Sequence, residues 1–172
     1  MTNAASSINR MIQSSAARYF QCCSTLSDKE FYADNDFGLS VAWITGHLVN
    51  SQDYFVSRML DAPRKFEQYE KSFRGGRALT DDDNIRGVSR IDLMADFRNC
   101  HQYVIESLMT FDMSQWDEPI PAREVGDSAY FSASMMWEFL GRHTFYHLGQ
   151  LSCLVPRLSE SSTLLYPNLT LE

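Results

Sequence analysis

The chain has 172 residues, of which 44% are hydrophobic and 13% aromatic; these values fit a single folded domain over residues 1–172 and exclude a disordered protein. A formal net charge of −7 and the absence of any basic cluster argue against nucleic-acid partners, because phosphate binding relies on Lys and Arg. The N-terminus lacks the apolar run of a signal peptide, and no stretch approaches the ~20 apolar residues of a membrane span. We therefore expect a cytoplasmic protein without a membrane partner.

Hydrophobic residues recur at helical spacing in four stretches, which predicts an all-α chain. The first predicted helix covers residues 6–24, and the turn-forming residues after it predict a loop. The second begins after Ser40, a plausible N-cap, and ends near Asp61, just before Ala62 and Pro63.

Two further helices follow long connections. The third begins at Ser89, three residues before Asp92 in a capping-box-like arrangement, and the fourth covers residues 132–155. Residues 63–88 show no sustained helical period and are predicted to be irregular. Their number far exceeds the ~2–8 residues that join adjacent antiparallel helices, which permits a crossover between two parallel helices.

Two smaller features complete the survey. The four cysteines contain no Cys-x-x-Cys pair, and we interpret them as reduced residues that mostly pack in the core. The last stretch, residues 159–172, is too apolar for a free tail, so we expect it to pack on the bundle or on a partner subunit. Because of this segment and of the hydrophobic outer faces of the first and fourth helices, we expect a homodimer.

Histidines interrupt the apolar stripe of the fourth helix. His143 and His147 are four residues apart, so both side chains point to the same side of a helix. They could simply donate to a neighbouring helix and pack, as buried polar groups usually do. They could also share a divalent ion, for which neutral imidazole is the commonest ligand. His47, on the shoulder of the second helix's apolar stripe, can face the same interior.

The pattern of these residues resembles that of a known family. Trp43-x-x-x-His47-Leu48, followed about a hundred residues later by His143-x-x-x-His147-x-Gly-Gln150-Leu, is similar to the DinB/YfiT-like family of metalloenzymes. The resemblance covers nearly the whole chain. It implies a DinB-like four-helix bundle with up-down-down-up order and a long crossover between helices 2 and 3. It also implies that His47, His143 and His147 bind one divalent ion, often nickel or zinc. Because imidazole sites bind several metals, iron or manganese is also admissible.

The resemblance also implies a range of activities. Characterised members include thiol S-transferases that use a low-molecular-weight thiol, and a thiol-dependent isomerase. Three neutral imidazoles would leave a metal ion its full charge and open coordination positions, as in catalytic sites. The sequence thus favours a metal-dependent transferase or hydrolase acting on a small molecule. The alternative is a non-catalytic binding or stress-response protein whose metal is structural or regulatory.

Residues around the three histidines could support such a site. Gln150 follows His147 by three residues and Asn50 follows His47 by three, so each could orient a ligand ring or a metal-bound water. Tyr54 could donate to a substrate oxygen, although packing is the commoner role of a tyrosine. His101, on the core-facing stripe of the third helix, could be an extra ligand or a satisfied core histidine. For each of these residues, the alternative is a purely structural role in packing or in an ordinary hydrogen bond between helices.

Overall fold

A computed structural model describes residues 3–34, 39–75, 87–120 and 132–155. Within these ranges the chain is helical and contains no named strand. The helices are α1 (Asn3–Ser24), α2 (Asp28–Tyr32), α3 (Val41–Met59), α4 (Glu70–Phe73), α5 (Arg90–Thr110) and α6 (Ala133–Leu154), and 3-10 turns occur at Glu67–Tyr69 and Met113–Gln115. No helix in the described part of the chain is long and apolar enough to cross a membrane.

The long helices begin where serine side chains accept a backbone hydrogen bond. Ser40 accepts from the amide of Trp43, and Ser89 accepts from the amide of Asp92, both at 3.1 Å. Ser132 caps α6 in the same way. These bonds satisfy amide groups that have no partner inside the helix. The starts of the second and third predicted helices are therefore confirmed, whereas α1 begins three residues earlier than predicted.

Two short helices lie in segments that were predicted to be irregular, and the prediction was wrong there. α2 begins at a capping box, in which Ser27 and Glu30 each accept from the other's backbone amide. α4 and the 3-10 turn before it interrupt the connection between α3 and α5. Both are too short to show a helical period, but they bury Phe31, Tyr69 and Phe73. Burial of these rings stabilises helices that would not form alone.

α1 and α5 are antiparallel neighbours. Phe20, near the end of α1, contacts Phe97 near the start of α5, with ring centroids 4.9 Å apart. Asn9, near the start of α1, donates to the sulfur of Met109 at the end of α5. The crossover before α5 therefore returns the chain to the same end of the bundle at which α1 finishes.

α6 runs parallel to α1. A Cβ atom at Gly141 would lie 2.5 Å from Met11 Cε, so the two helices approach closely at this level. Further along both helices in the same direction, the Arg18 guanidinium lies 5.9 Å from the centroid of the Phe145 ring. The first and last long helices thus point in the same direction.

α3 is antiparallel to α6. His47, early in α3, faces His147, late in α6, and Phe55, late in α3, packs on Phe139, early in α6. α3 consequently runs against α1 and α6 and parallel to α5. The order is up-down-down-up, as the resemblance to the DinB/YfiT-like family implied, and the parallel pair α3 and α5 is joined by the long crossover.

α4 packs tightly on α3 at Gly46. A Cβ atom at this position would lie 2.3 Å from the Phe73 ring. Gly46→Ala is therefore expected to displace Phe73 and lower the free energy of unfolding by about 1–3 kcal/mol, the usual range for an overpacked core. Urea denaturation followed by circular dichroism measures the change.

The control is the same substitution on an open helical surface. A Cβ atom at Gly149 would have no neighbour within 4 Å. Gly149→Ala should leave stability unchanged or raise it by up to about 1 kcal/mol, because alanine favours the helix. Equal effects at both glycines would contradict the close approach of α4 and α3.

The expected packing of residues 159–172 lies outside the described residues. The four cysteines are free thiols, and Cys22, Cys23 and Cys100 are buried. Burial raises the pKa of the Cys22 thiol. This environment agrees with the interpretation of these three as core residues, whereas Cys153 is exposed.

Candidate metal centre

Three histidines from two helices meet at one end of the bundle interior. His47 comes from α3, and His143 and His147 come from successive turns of α6. One ring nitrogen of each lies within 4.8 Å of the other two, so a single ion could contact all three. The antiparallel packing of α3 against α6 brings together residues that are about a hundred positions apart in the chain.

Hydrogen bonds determine which nitrogen of two rings faces the cluster. His47 Nδ1 donates to the carbonyl oxygen of Phe73 at 2.9 Å, and His147 Nδ1 donates to Gln150 Oε1 at 2.7 Å. In a neutral imidazole the other nitrogen, Nε2, then keeps its lone pair. His143 Nε2 lies 2.9 Å from His147 Nε2. The ring atoms that face the common centre are therefore Nε2 atoms, which is the arrangement of a metal site with outer-shell acceptors.

Aromatic rings hold two of the imidazoles in place. The Trp43 ring is stacked on His47 with centroids 5.0 Å apart and an angle of 6° between planes. The Phe139 ring is stacked on His143 at 4.9 Å and 21°. Stacking limits rotation of both imidazoles and shields one face of each from water. The structure thus explains the tryptophan four residues before His47 in the sequence motif, because its ring stacks on the imidazole.

The three histidines are neutral at pH 7. Burial lowers the pKa of His143 to about 3, with a further contribution from the positive charge that His147 and His47 would carry. Burial likewise lowers the pKa of His147 to about 4 and lowers the pKa of His47. A histidine must be neutral to bind a metal ion, so the environment keeps all three ready as ligands.

A cavity of about 330 Å³ opens beside the cluster. Two of the three histidines line it, whereas His147 is only 5% exposed. The remaining walls come from α3, α6 and the segment that contains α4, and consist of Asn50, Ser51, Tyr54, Phe55, Arg64, Glu70, Arg74, Gly75 and Phe139. A small molecule in this cavity would reach the centre of the cluster from its open side.

The remaining candidates occupy different places. Gln150 contacts His147 as the spacing suggested. Asn50 and Tyr54 line the cavity, but Asn50 Oδ1 accepts from Arg64 at 2.6 Å and does not orient His47. His101 is not part of the cluster in the described residues. Its Nδ1 atom is buried without a hydrogen-bond partner, and burial lowers its pKa to about 4.

An ion-pair network at the wall of the cavity was not predicted from the sequence. Arg64 donates to the Asp53 carboxylate at 2.9 Å, to Glu70 at 3.0 Å and to Asn50 at 2.6 Å. Asp53 has no solvent exposure and also accepts from the backbone amides of Lys65 and Phe66. The network connects residues 64–66, at the start of the crossover, to Asp53 of α3. It thereby supports the segment whose Phe73 carbonyl orients His47.

The chemistry of the donor set fits a divalent ion. Neutral imidazole suits zinc, nickel, copper and iron, and three such ligands without a carboxylate leave coordination positions open. His143 Nδ1 is a buried polar atom with no hydrogen-bond partner among the described residues. A helical bundle with a three-histidine cluster between two of its helices is the architecture of a metal-binding helical protein.

The family comparison agrees with this class. The model of the DinB superfamily matches residues 11–151, which contain all three histidines, the whole of α3 and α5, and the parts of α1 and α6 that lie within these bounds. The chain belongs to the DinB superfamily. No curated protein and no solved structure gives a significant match.

Proposed function

We propose that this chain is a metal-dependent enzyme that transfers or hydrolyses a group on a small molecule, with one divalent ion bound by His47, His143 and His147. The observation that carries the proposal is the cavity: two of the three histidines line it, so the open side of the cluster faces space for a substrate. A purely structural ion would be enclosed by protein ligands instead. His101 lies outside the cluster and offers no fourth ligand there.

The chain's own residues would prepare the reaction. Gln150 and the Phe73 carbonyl hold two rings with Nε2 toward the centre. Phe139 and Trp43 limit water at two of the rings. A bound divalent ion would supply Lewis acidity and lower the pKa of a coordinated water or thiol. A thiol S-transferase reaction is one form of this chemistry, with a low-molecular-weight thiol as the nucleophile.

Metal analysis followed by a reaction screen tests the proposal. Purified protein is stripped with chelator, reloaded with nickel or zinc, and assayed for conjugation of bacillithiol, mycothiol or glutathione to electrophiles and for ester hydrolysis. We expect about one ion per chain and turnover only in the loaded protein. Protein that binds one ion and shows the same negligible rates loaded and stripped would instead support a structural or regulatory metal.

A further inference from the structure

Ser51 stands next to the proposed metal position. It follows His47 by one helical turn, lines the cavity and is only 7% exposed. Its Oγ lies 3.3 Å from His47 Nε2. Because His47 Nδ1 carries the proton that is donated to Phe73, Nε2 accepts and the Ser51 hydroxyl donates.

A metal ion on His47 would displace this hydrogen bond. The lone pair of Nε2 would be used for ligation, so the Ser51 hydroxyl would lose its acceptor while remaining nearly buried. A buried donor without a partner is costly. Ser51 would then need another acceptor, which is either the carbonyl of the preceding turn of α3 or a ligand in the cavity beside His47.

Asn50 presents a second donor to the same cavity. Arg64 donates to Asn50 Oδ1, which identifies that atom as the carbonyl oxygen of the amide. The amide nitrogen Nδ2 makes no hydrogen bond to any residue that the structure describes, and the side chain is only 6% exposed. Two successive residues of α3 thus offer an O–H and an N–H group to whatever occupies the cavity.

The charges around the cavity favour an anion. Arg64 is paired with the buried Asp53, and Arg74 lies 3.7 Å from the Glu70 carboxylate. The protein groups balance one another, and no carboxylate belongs to the three-histidine cluster. The charge of a bound divalent ion would therefore be uncompensated in a partly buried position, where an anionic ligand is strongly attracted.

We propose that Ser51 and Asn50 form a carboxylate-binding pair beside the three-histidine site, so that the substrate is a small molecule bearing a carboxylate. A planar carboxylate presents two oxygens, one to each donor. Phe55, one turn after Ser51 on α3, and Phe139 of α6 also line the cavity, with ring centroids 5.0 Å apart, and suit an apolar remainder. This inference rests on the proposed metal site and names the substrate class for it.

Cobalt-loaded protein provides the test, because the visible absorption of Co²⁺ changes when an added ligand coordinates it. Acetate is the probe, and imidazole, a neutral ligand with no oxygen acceptor, is the comparison. Ser51→Ala and Asn50→Ala should each weaken acetate binding by about 10-fold or more, as expected for a lost hydrogen bond to a charged group. Imidazole binding should remain unchanged.

A matched control and a second measurement separate this role from a structural one. Ser57→Ala is the same substitution on the same helix, outside the cavity lining, and should leave acetate binding unchanged. Ser51→Ala should retain or strengthen Co²⁺ affinity, since the hydroxyl no longer competes for His47 Nε2.

Three outcomes would overturn the inference. Equal acetate affinity in wild type and both variants would mean that Ser51 donates to the carbonyl of the preceding helical turn instead. A parallel loss of Co²⁺ affinity in Ser51→Ala would indicate a merely structural role. Failure of the wild type to bind Co²⁺ would remove the proposed function together with the inference, whereas the first two outcomes leave the proposal of a metal site in the wild type standing.

Discussion

His143→Ala is expected to weaken divalent-metal affinity by more than about 100-fold, a larger loss than the 10–100-fold typical of outer-shell partners. His143 and His147 face each other through Nε2 atoms 2.9 Å apart, so the removal of one ring halves the contribution of α6 to the cluster. Two imidazoles and solvent would then have to hold the ion. Competition with a chromophoric zinc chelator measures the affinity at pH 7, where the histidines are neutral.

Two further variants are expected to have smaller effects on metal affinity. Gln150→Ala removes the acceptor that fixes the His147 ring and should weaken affinity by about 10–100-fold. His101→Gln alters the one histidine outside the cluster and should leave affinity unchanged. If His101→Gln weakened binding as much as His143→Ala, the ligand set would include His101 and the three-histidine site would be wrong.

The sequence predicted those parts of the fold that depend on local signals. The four long helices follow from hydrophobic spacing. Ser40, Ser89 and Ser132 cap three of them, and such a cap depends on one residue and the backbone next to it. The pairing of His143 with His147 follows from helical geometry alone. The proximity of His47 does not, because it depends on the packing of α3 against α6, and it came from the resemblance to the family.

Two of the features that sequence reasoning missed depend on contacts between distant segments, and two others are local. The Ser27 to Glu30 capping box was visible in the sequence but was included in a predicted loop. The Phe73 carbonyl is a backbone group, and no residue type marks its approach to His47. Ser51 lies one turn after His47 and could have been identified from helical spacing. Arg64 gave no signal, because its role depends on the return of the crossover to the buried Asp53.

Arg64→Met is expected to lower the free energy of unfolding by about 3–5 kcal/mol, the range observed when one partner of a buried ion pair is removed. The Asp53 carboxylate has no solvent exposure, and the Arg64 side chain is 12% exposed. Without the guanidinium, the donors to Asp53 in the described part of the chain would be the amides of Lys65 and Phe66. Urea denaturation of wild type and variant gives the difference.

The double variant Asp53→Asn, Arg64→Met tests whether the unpaired charge causes the loss. Asparagine retains an acceptor for the backbone amides but carries no charge, so part of the stability should return. Arg142→Met, which breaks the exposed pair with Glu138 on α6, is the surface control and should cost no more than about 1 kcal/mol. A loss at Arg64 as small as that at Arg142 would show that the crossover is not fastened to α3 by this ion pair.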